Sequence, residues 1–127
     1  MAKTLNDRLA DLSPEAYNVC RLGGTEAPFS GKWCDHWENG VYICVCCHRP
    51  LFLSQFKFDA GCGWPSFDRP IDKDVLHYIN DLSHGMVRTE VQCQRCESHL
   101  GHVFSDGPTE THQRYCINSV SLDFNVE

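Results

Sequence analysis

No stretch of the 127-residue chain approaches the roughly 20 consecutive apolar residues that a membrane-spanning helix needs, so no membrane partner is expected. Positive charge is scarce. Eleven Lys+Arg face 17 Asp+Glu, a formal net charge of −6. Such an acidic chain is a poor match for nucleic acid, whose phosphates are met by Lys and Arg. The opening residues, Met1-Ala2-Lys3-Thr4-Leu5-Asn6-Asp7, carry charges where an export signal needs an apolar stretch, which points to the cytoplasm. Low-complexity linkers are missing, and so are internal repeats apart from one doubled C-x-x-C. A hydrophobic fraction of 42% excludes general disorder, and the length suits one domain with its own core.

What the chain does have is cysteine, nine of them. In a reducing compartment disulfides are rare, and Cys pairs more often bind metal or carry redox chemistry. An odd count also leaves at least one thiol outside any complete pairing.

Residues 1–22 read as a helical segment and residues 23–127 as a β region, within one domain overall. Ser13-Pro14-Glu15 is a helix start, with a capping hydroxyl, a proline suited to the first helical position and a carboxylate at the positive end. Gly23-Gly24 stops that helix, and a shorter one is expected around Leu5 to Leu12. Beyond Gly24, short apolar runs are punctuated by Gly, Pro, Asn and Asp, the texture of a mainly β protein. Strands are expected at Val41–Cys46, Met86–Gln92, Leu100–Phe104 and Arg114–Phe124. Asp72–Asn80 fits a strand or a helical turn. On the last strand, Arg114, Cys116, Asn118, Val120, Leu122 and Phe124 share a face by alternation. That row reads either as a site or as the polar end of a strand protruding from its sheet.

Cys44-x-x-Cys47 and Cys93-x-x-Cys96 form two knuckles. Two-residue spacing brings both thiolates of a knuckle to one tetrahedral ion, and two knuckles complete a four-cysteine shell for a single Zn2+. The gap between them far exceeds the roughly 15–20 residues of a zinc ribbon, so the ion would tie two distant hairpins together. A closed four-thiolate shell is structural, not catalytic. Cys46 and His99 remain open as substitute ligands.

Cys20, Cys34, Cys46, Cys62 and Cys116 are left over. Cys62 lies in Ala60-Gly61-Cys62-Gly63-Trp64-Pro65-Ser66-Phe67, where flanking glycines free the backbone and Trp64 with Pro65 offers a rigid wall. Such a thiol can form a reversible disulfide with a second one nearby. His102, in His99-Leu100-Gly101-His102-Val103-Phe104, can donate a proton near neutral pH. Arg114, two residues before Cys116 on the same face, would stabilise a thiolate.

Several segments now stand in one order. They are Gly24-Thr25-Glu26; Cys44-x-x-Cys47 followed by Pro50-Leu51-Phe52; Gly61-Cys62-Gly63-Trp64-Pro65-Ser66-Phe67; Cys93-x-x-Cys96 followed by His99-Leu100-Gly101-His102-Val103-Phe104; and Arg114-Tyr115-Cys116-Ile117-Asn118-Ser119. Over about residues 13 to 124 the chain resembles methionine-R-sulfoxide reductases of the B type. The resemblance implies a small β domain of two antiparallel sheets with short N-terminal helices, stapled by a four-cysteine zinc site. It implies Cys116 as nucleophile, Cys62 as resolving thiol, Trp64 against the substrate methyl group with Arg114 beside it, and His102 with His99 serving the sulfoxide oxygen. Asn118 would orient the bound groups, and Cys44, Cys47, Cys93 and Cys96 would hold one structural zinc. The implied substrate is methionine-R-sulfoxide, free or in proteins, and the implied recycling runs through a Cys116–Cys62 disulfide reduced by thioredoxin. A monomer is expected. Some related enzymes carry an alternative resolving thiol in the N-terminal half, where Cys34 lies here; the glycines around Cys62 favour Cys62. Two other functions stay in view: a zinc-stapled binding module with a Trp64-walled pocket, and a thiol peroxidase or redox sensor.

Overall fold

The computed structural model describes residues 9–126. The first half of the short helix expected at Leu5–Leu12 lies outside them; Leu9 and Ala10 are helical. Helix α1 (Pro14–Leu22) starts as its sequence dictates, with the Ser13 hydroxyl accepting from the Ala16 N–H at 3.1 Å. It stops at Gly23, which takes the left-handed conformation at φ 75°. Ala16, Val19 and Cys20 share the buried face, and Arg21 reaches out to donate to the Cys96 carbonyl at 2.9 Å.

Among the described residues nine strands follow: β1 (Gly40–Cys44), β2 (Pro50–Leu53), β3 (Lys57–Phe58), β4 (Ser66–Phe67), β5 (Leu76–Asp81), β6 (Arg88–Cys93), β7 (His99–Phe104), β8 (Arg114–Ile117) and β9 (Leu122–Val126). They form two antiparallel sheets, a three-stranded one ordered β2-β1-β9 and a six-stranded one ordered β3-β4-β8-β7-β6-β5. The two-sheet, mainly β architecture agrees with the sequence reading. Stacked Phe52 and Phe67, 4.3 Å apart, and Tyr42 edge-on to Phe67 fill the core with Leu51, Val91, Leu100 and Ile117. The apolar surface these side chains remove from water is the main favourable term for a domain of this size.

Three expectations need adjustment. The long strand expected at Arg114–Phe124 is two, because the chain leaves the larger sheet after Ile117, turns through a 3₁₀ segment at Ser119–Ser121 and joins the smaller sheet. Side-chain capture of backbone groups makes the break: Glu26 accepts from the Val120 N–H at 2.9 Å, and the Ser119 hydroxyl accepts from the Trp33 N–H at 2.9 Å. The shared face therefore ends at Asn118. The strand expected at Val41–Cys46 stops at Cys44, where the first knuckle begins. Asp72–Asn80 is both alternatives in series, a 3₁₀ turn at Lys73–Val75 leading into β5.

Register decides what meets at the site. Cys116 pairs with Ser66 on one side and with His102 on the other, so three neighbouring strands bring a thiol, a hydroxyl and an imidazole to one level. His102 in turn lies opposite Glu90.

Candidate active site and metal centre

The two knuckles are built alike. In each, the N–H following the second cysteine turns back on the first: His48 donates to the Cys44 carbonyl and Glu97 to that of Cys93, both at 2.8 Å. His48 and Glu97 take matching positive φ values of 64° and 61°. Cys44 N–H donates to the Arg49 carbonyl and Cys93 N–H to that of Ser98, at 2.9 and 3.0 Å. The four sulfurs lie within 4.8 Å of one another and are buried. Cys44 and Cys96 are 3.6 Å apart, and Cys47 and Cys93 3.5 Å. A tetrahedral ion with bonds of about 2.3 Å to sulfur needs edges of about 3.8 Å, so the donor set fits a metal of that size. Neither Cys46 nor His99 belongs to this group. Cys46 points to Cys20 as well as to the cluster, and the His99 imidazole is engaged with Glu90 at 2.7 Å.

A second pair of sulfurs lies apart from the metal set. Cys62 Sγ, in the loop from β3 to β4, is 3.6 Å from Cys116 Sγ on β8. Asp59 Oδ1 accepts from the Gly61 N–H at 2.9 Å, and Gly61 and Gly63 adopt φ of 68° and 92°. At Gly63 any Cβ would also come within 2.6 Å of Pro28, so conformation and space both demand glycine. Burial pushes the Cys116 thiol up to about 12, and the neighbouring Cys62 sulfur adds to the rise while Arg114 opposes it. At Cys62 burial acts in the same upward direction, but the Ser66 hydroxyl, the Trp64 backbone and Cys116 outweigh it and hold that thiol below its ordinary value. The resting pair thus keeps its proton on Cys116 and loses it more readily from Cys62.

Cys116 opens onto a cavity of about 280 Å³. Trp64, Phe104 and Gly101 supply apolar walls, and His102, Arg88, Arg114, Asn118 and Thr25 supply polar ones. His102, Arg88, Arg114 and Asn118 are held from behind. His102 Nε2–H donates to the Asp81 carboxylate at 2.8 Å, and Arg88 lies 3.3 Å from the same oxygen. Burial lowers the His102 pKa, with Asp81 opposing. Ser83 and then His102 depress the Asp81 carboxyl far below the usual range, so it is an acceptor throughout the neutral region. Arg114 is gripped by both Asp106 oxygens, at 2.9 and 3.2 Å, and its guanidinium lies 4.4 Å from the centre of the Phe104 ring.

One residue ties two walls together. The Glu26 carbonyl accepts from Trp64 Nε1–H at 3.1 Å, and its N–H donates to Asn118 Oδ1 at 3.0 Å. The Asn118 side-chain amide then donates to the Leu100 carbonyl at 3.0 Å. The Glu26 side chain is buried, 3% exposed, and its Oε2 is unpartnered among the described residues. Burial raises its pKa.

The structure therefore gathers Cys116, Cys62, Trp64, Arg114, His102 and Asn118. His99 is not a lining residue. It is buried with its ring 5.6 Å from that of His102. Cys34, half-buried in the turn after Gly31, has its pKa raised by burial, with Lys57 opposing and Cys62 adding to the rise, while the sulfur in contact with Cys116 is that of Cys62. Sequence reasoning missed Asp81 and Arg88, the last cross-strand pair of the β5–β6 hairpin, for which no motif exists. It quoted Glu26 within a motif and gave it no role.

A match to the SelR domain model runs over residues 12–126. A peptide methionine sulfoxide reductase MsrB of Thioalkalivibrio sulfidiphilus is 61% identical over 115 residues, covering 91% of this chain and 84% of that protein. Namesakes from Pseudomonas fluorescens and Pseudomonas putida are each 59% identical, over 123 and 121 residues, covering 97% and 95% of this chain and 95% and 92% of theirs. This chain belongs to the MsrB family. The MsrB match takes in both knuckles, both close sulfurs and every wall of the cavity, so no part of the site lies outside the family likeness.

Proposed function

We propose that this protein reduces methionine-R-sulfoxide, free or in proteins, to methionine. The observation that carries the reading is the pair of close sulfurs, of which Cys116 alone lines the Trp64-walled cavity. Trp64 and Phe104 would receive the methyl group, and the His102–Asp81–Arg88 side the oxygen. Cys116 attacks the sulfoxide sulfur. A thiol held near 12 is protonated at neutral pH, so attack and proton delivery to the oxygen proceed together. With its Nε2–H on Asp81, His102 can carry and release a proton at Nδ1, which makes it the acid of this scheme. His99, tied to Glu90, supports its ring from beside.

The protonated oxygen passes from the sulfoxide sulfur to Cys116 Sγ as the transient bond between the two sulfurs breaks, so methionine leaves and Cys116 is left as a sulfenic acid. The Cys62 thiolate attacks it, a Cys62–Cys116 disulfide forms and water departs. A dithiol protein, thioredoxin in this reading, supplies the two electrons that reopen the disulfide. The four-cysteine set would hold one zinc ion, which when bound offsets half the charge of four buried thiolates and fixes the two knuckles. We place the protein in the cytoplasm as a monomer.

The test is turnover of both epimers of methionine sulfoxide with a dithiol reductant, alongside Cys116→Ser. Reduction of the R epimer, lost in Cys116→Ser, is the expected result. A binding module would retain its ligand in that variant and reduce nothing. A peroxidase would consume peroxide and spare methionine sulfoxide.

A further inference from the structure

We propose that the oxidised Cys62–Cys116 pair is reopened through a second cavity, on the side of Cys62 away from the substrate, and that this groove is where the reducing protein docks. The inference rests on the function proposed above and adds the site of its second half-reaction.

The groove has a volume of about 490 Å³, with Cys62 in its lining and Asp59, Asp106, Pro108 and Arg114 around it. Cys116 does not line it, and Cys62 does not line the substrate cavity. The two sulfurs, 3.6 Å apart, therefore straddle a partition, each facing its own cavity, with Arg114 common to both.

Thiol–disulfide exchange is a displacement at sulfur in which the entering, attacked and leaving sulfurs lie close to one line. An attacker on Cys62 must arrive from the side opposite Cys116, which is the groove. An attacker on Cys116 must come down the substrate cavity between Trp64, His102 and Asn118. A cysteine sulfur on a folded protein stands only two bonds from its backbone, so a protein-borne thiolate needs the wider opening. Leaving-group strength argues the other way, because the more acidic sulfur departs faster and Cys62 is the more acidic. Part of the Cys116 rise comes from the Cys62 sulfur, however, and that contribution is gone once Cys62 is bonded to the reductant. Arg114 remains to stabilise the departing Cys116 thiolate. Access decides.

The step balances. The entering thiolate bonds to Cys62 Sγ, the Cys62–Cys116 bond breaks, and Cys116 takes a proton. The reductant's second thiol then attacks its own mixed disulfide, freeing Cys62 and leaving the reductant oxidised by two electrons. The rim defines the partner. Asp59 and Asp106 are exposed carboxylates on an acidic protein, and Arg114 pairs with Asp106. The matching partner is a small dithiol protein with a basic residue beside its cysteine pair.

The experiment starts from the disulfide generated chemically with diamide, so it does not depend on methionine sulfoxide. Thioredoxin with its second active-site cysteine replaced by serine is added, and the trapped mixed disulfide is mapped by peptide mass spectrometry. A bond to Cys62 is expected, and a bond to Cys116 overturns the proposal. In parallel, Pro108→Trp should slow thioredoxin-driven recycling at least about tenfold while leaving single-turnover methionine release and reduction by dithiothreitol unchanged. Asp59→Asn keeps the turn that Gly61 requires and removes the charge. It should slow recycling about threefold at low salt and not at high salt. Wild-type recycling by Pro108→Trp also overturns the docking site. Loss of methionine release from the unaltered protein would sink the activity, whereas the trapping result tests the groove alone.

Discussion

Replacing Cys62 by serine should make Cys116 easier to ionise, by an amount the site geometry bounds. Cys116 rises from 9.0 to about 12, which is about 4 kcal/mol of preference for the neutral thiol. Burial is the larger cause and the neighbouring Cys62 the next. A unit charge 3.6 Å away is worth about 1 kcal/mol in water and about 5 at an effective dielectric near 20. Cys116 is half-buried, so the charge contributes between those limits. Cys62→Ser should therefore lower the Cys116 midpoint by about 1–2 pH units and still leave it above 9, since the burial remains. The sign for folding follows: a group whose native pKa is raised stabilises the fold below its unfolded value. In the unaltered protein that contribution is lost as pH climbs from 9 toward 12. The assay is the pH dependence of iodoacetamide alkylation, followed at the Cys116 peptide so that the other cysteines do not intrude. An unchanged midpoint would show that the Cys62 charge is not felt at Cys116. A fall to 9 or below would show that burial is not the main cause, and either result refutes the reasoning.

Three further outcomes are expected. Cys62→Ser should release about one methionine per enzyme and then stall with thioredoxin, as a rapid-quench assay with the R epimer will show; continued turnover would move the resolving role to Cys34 or abolish it. Cys93→Ser should lose bound metal and fall in melting temperature by far more than Cys116→Ser does, because one removed thiolate leaves three buried sulfurs around an incomplete shell. Glu26→Gln keeps an oxygen for the Val120 N–H and puts a neutral amide nitrogen where an unpartnered buried carboxylate oxygen stood, so it removes a buried charge and should match or exceed the native melting temperature. Glu26→Ala, by contrast, should lose about 1–3 kcal/mol in chemical denaturation, through the unpaired Val120 N–H and the space left behind.

How much of this could be read along the chain depends on how local each interaction is. The helix at Pro14–Leu22 follows from a hydroxyl three residues before its N–H partner and a glycine one residue past its end. Each knuckle closes on itself within about five residues, so C-x-x-C announces it wherever it occurs. The β5 strand hid behind an ambiguous period, and β2, β3 and β4 are too short to show alternation. The last strand deceived because alternation continues through Ser119–Ser121, while the Glu26 carboxylate that bends the chain there comes from 94 residues earlier.

By itself, then, the sequence determined the kind of chemistry: four thiolates paired for one ion, and a thiol in a glycine-framed loop with an imidazole, an arginine and a tryptophan available. Which sulfurs meet is a matter of the folded sheet. Cys62 and Cys116 are 54 residues apart and come within 3.6 Å because β4 pairs with β8 at Ser66 and Cys116. Only the tertiary structure supplied the groups behind the site, Asp81 on His102, Asp106 on Arg114, and Glu26 between Trp64 and Asn118. The physical reason is one of range. Spacing along a chain specifies contacts made within a turn, whereas a carboxylate that orients an imidazole across a sheet is chosen by strand register, which is settled only when the whole core packs.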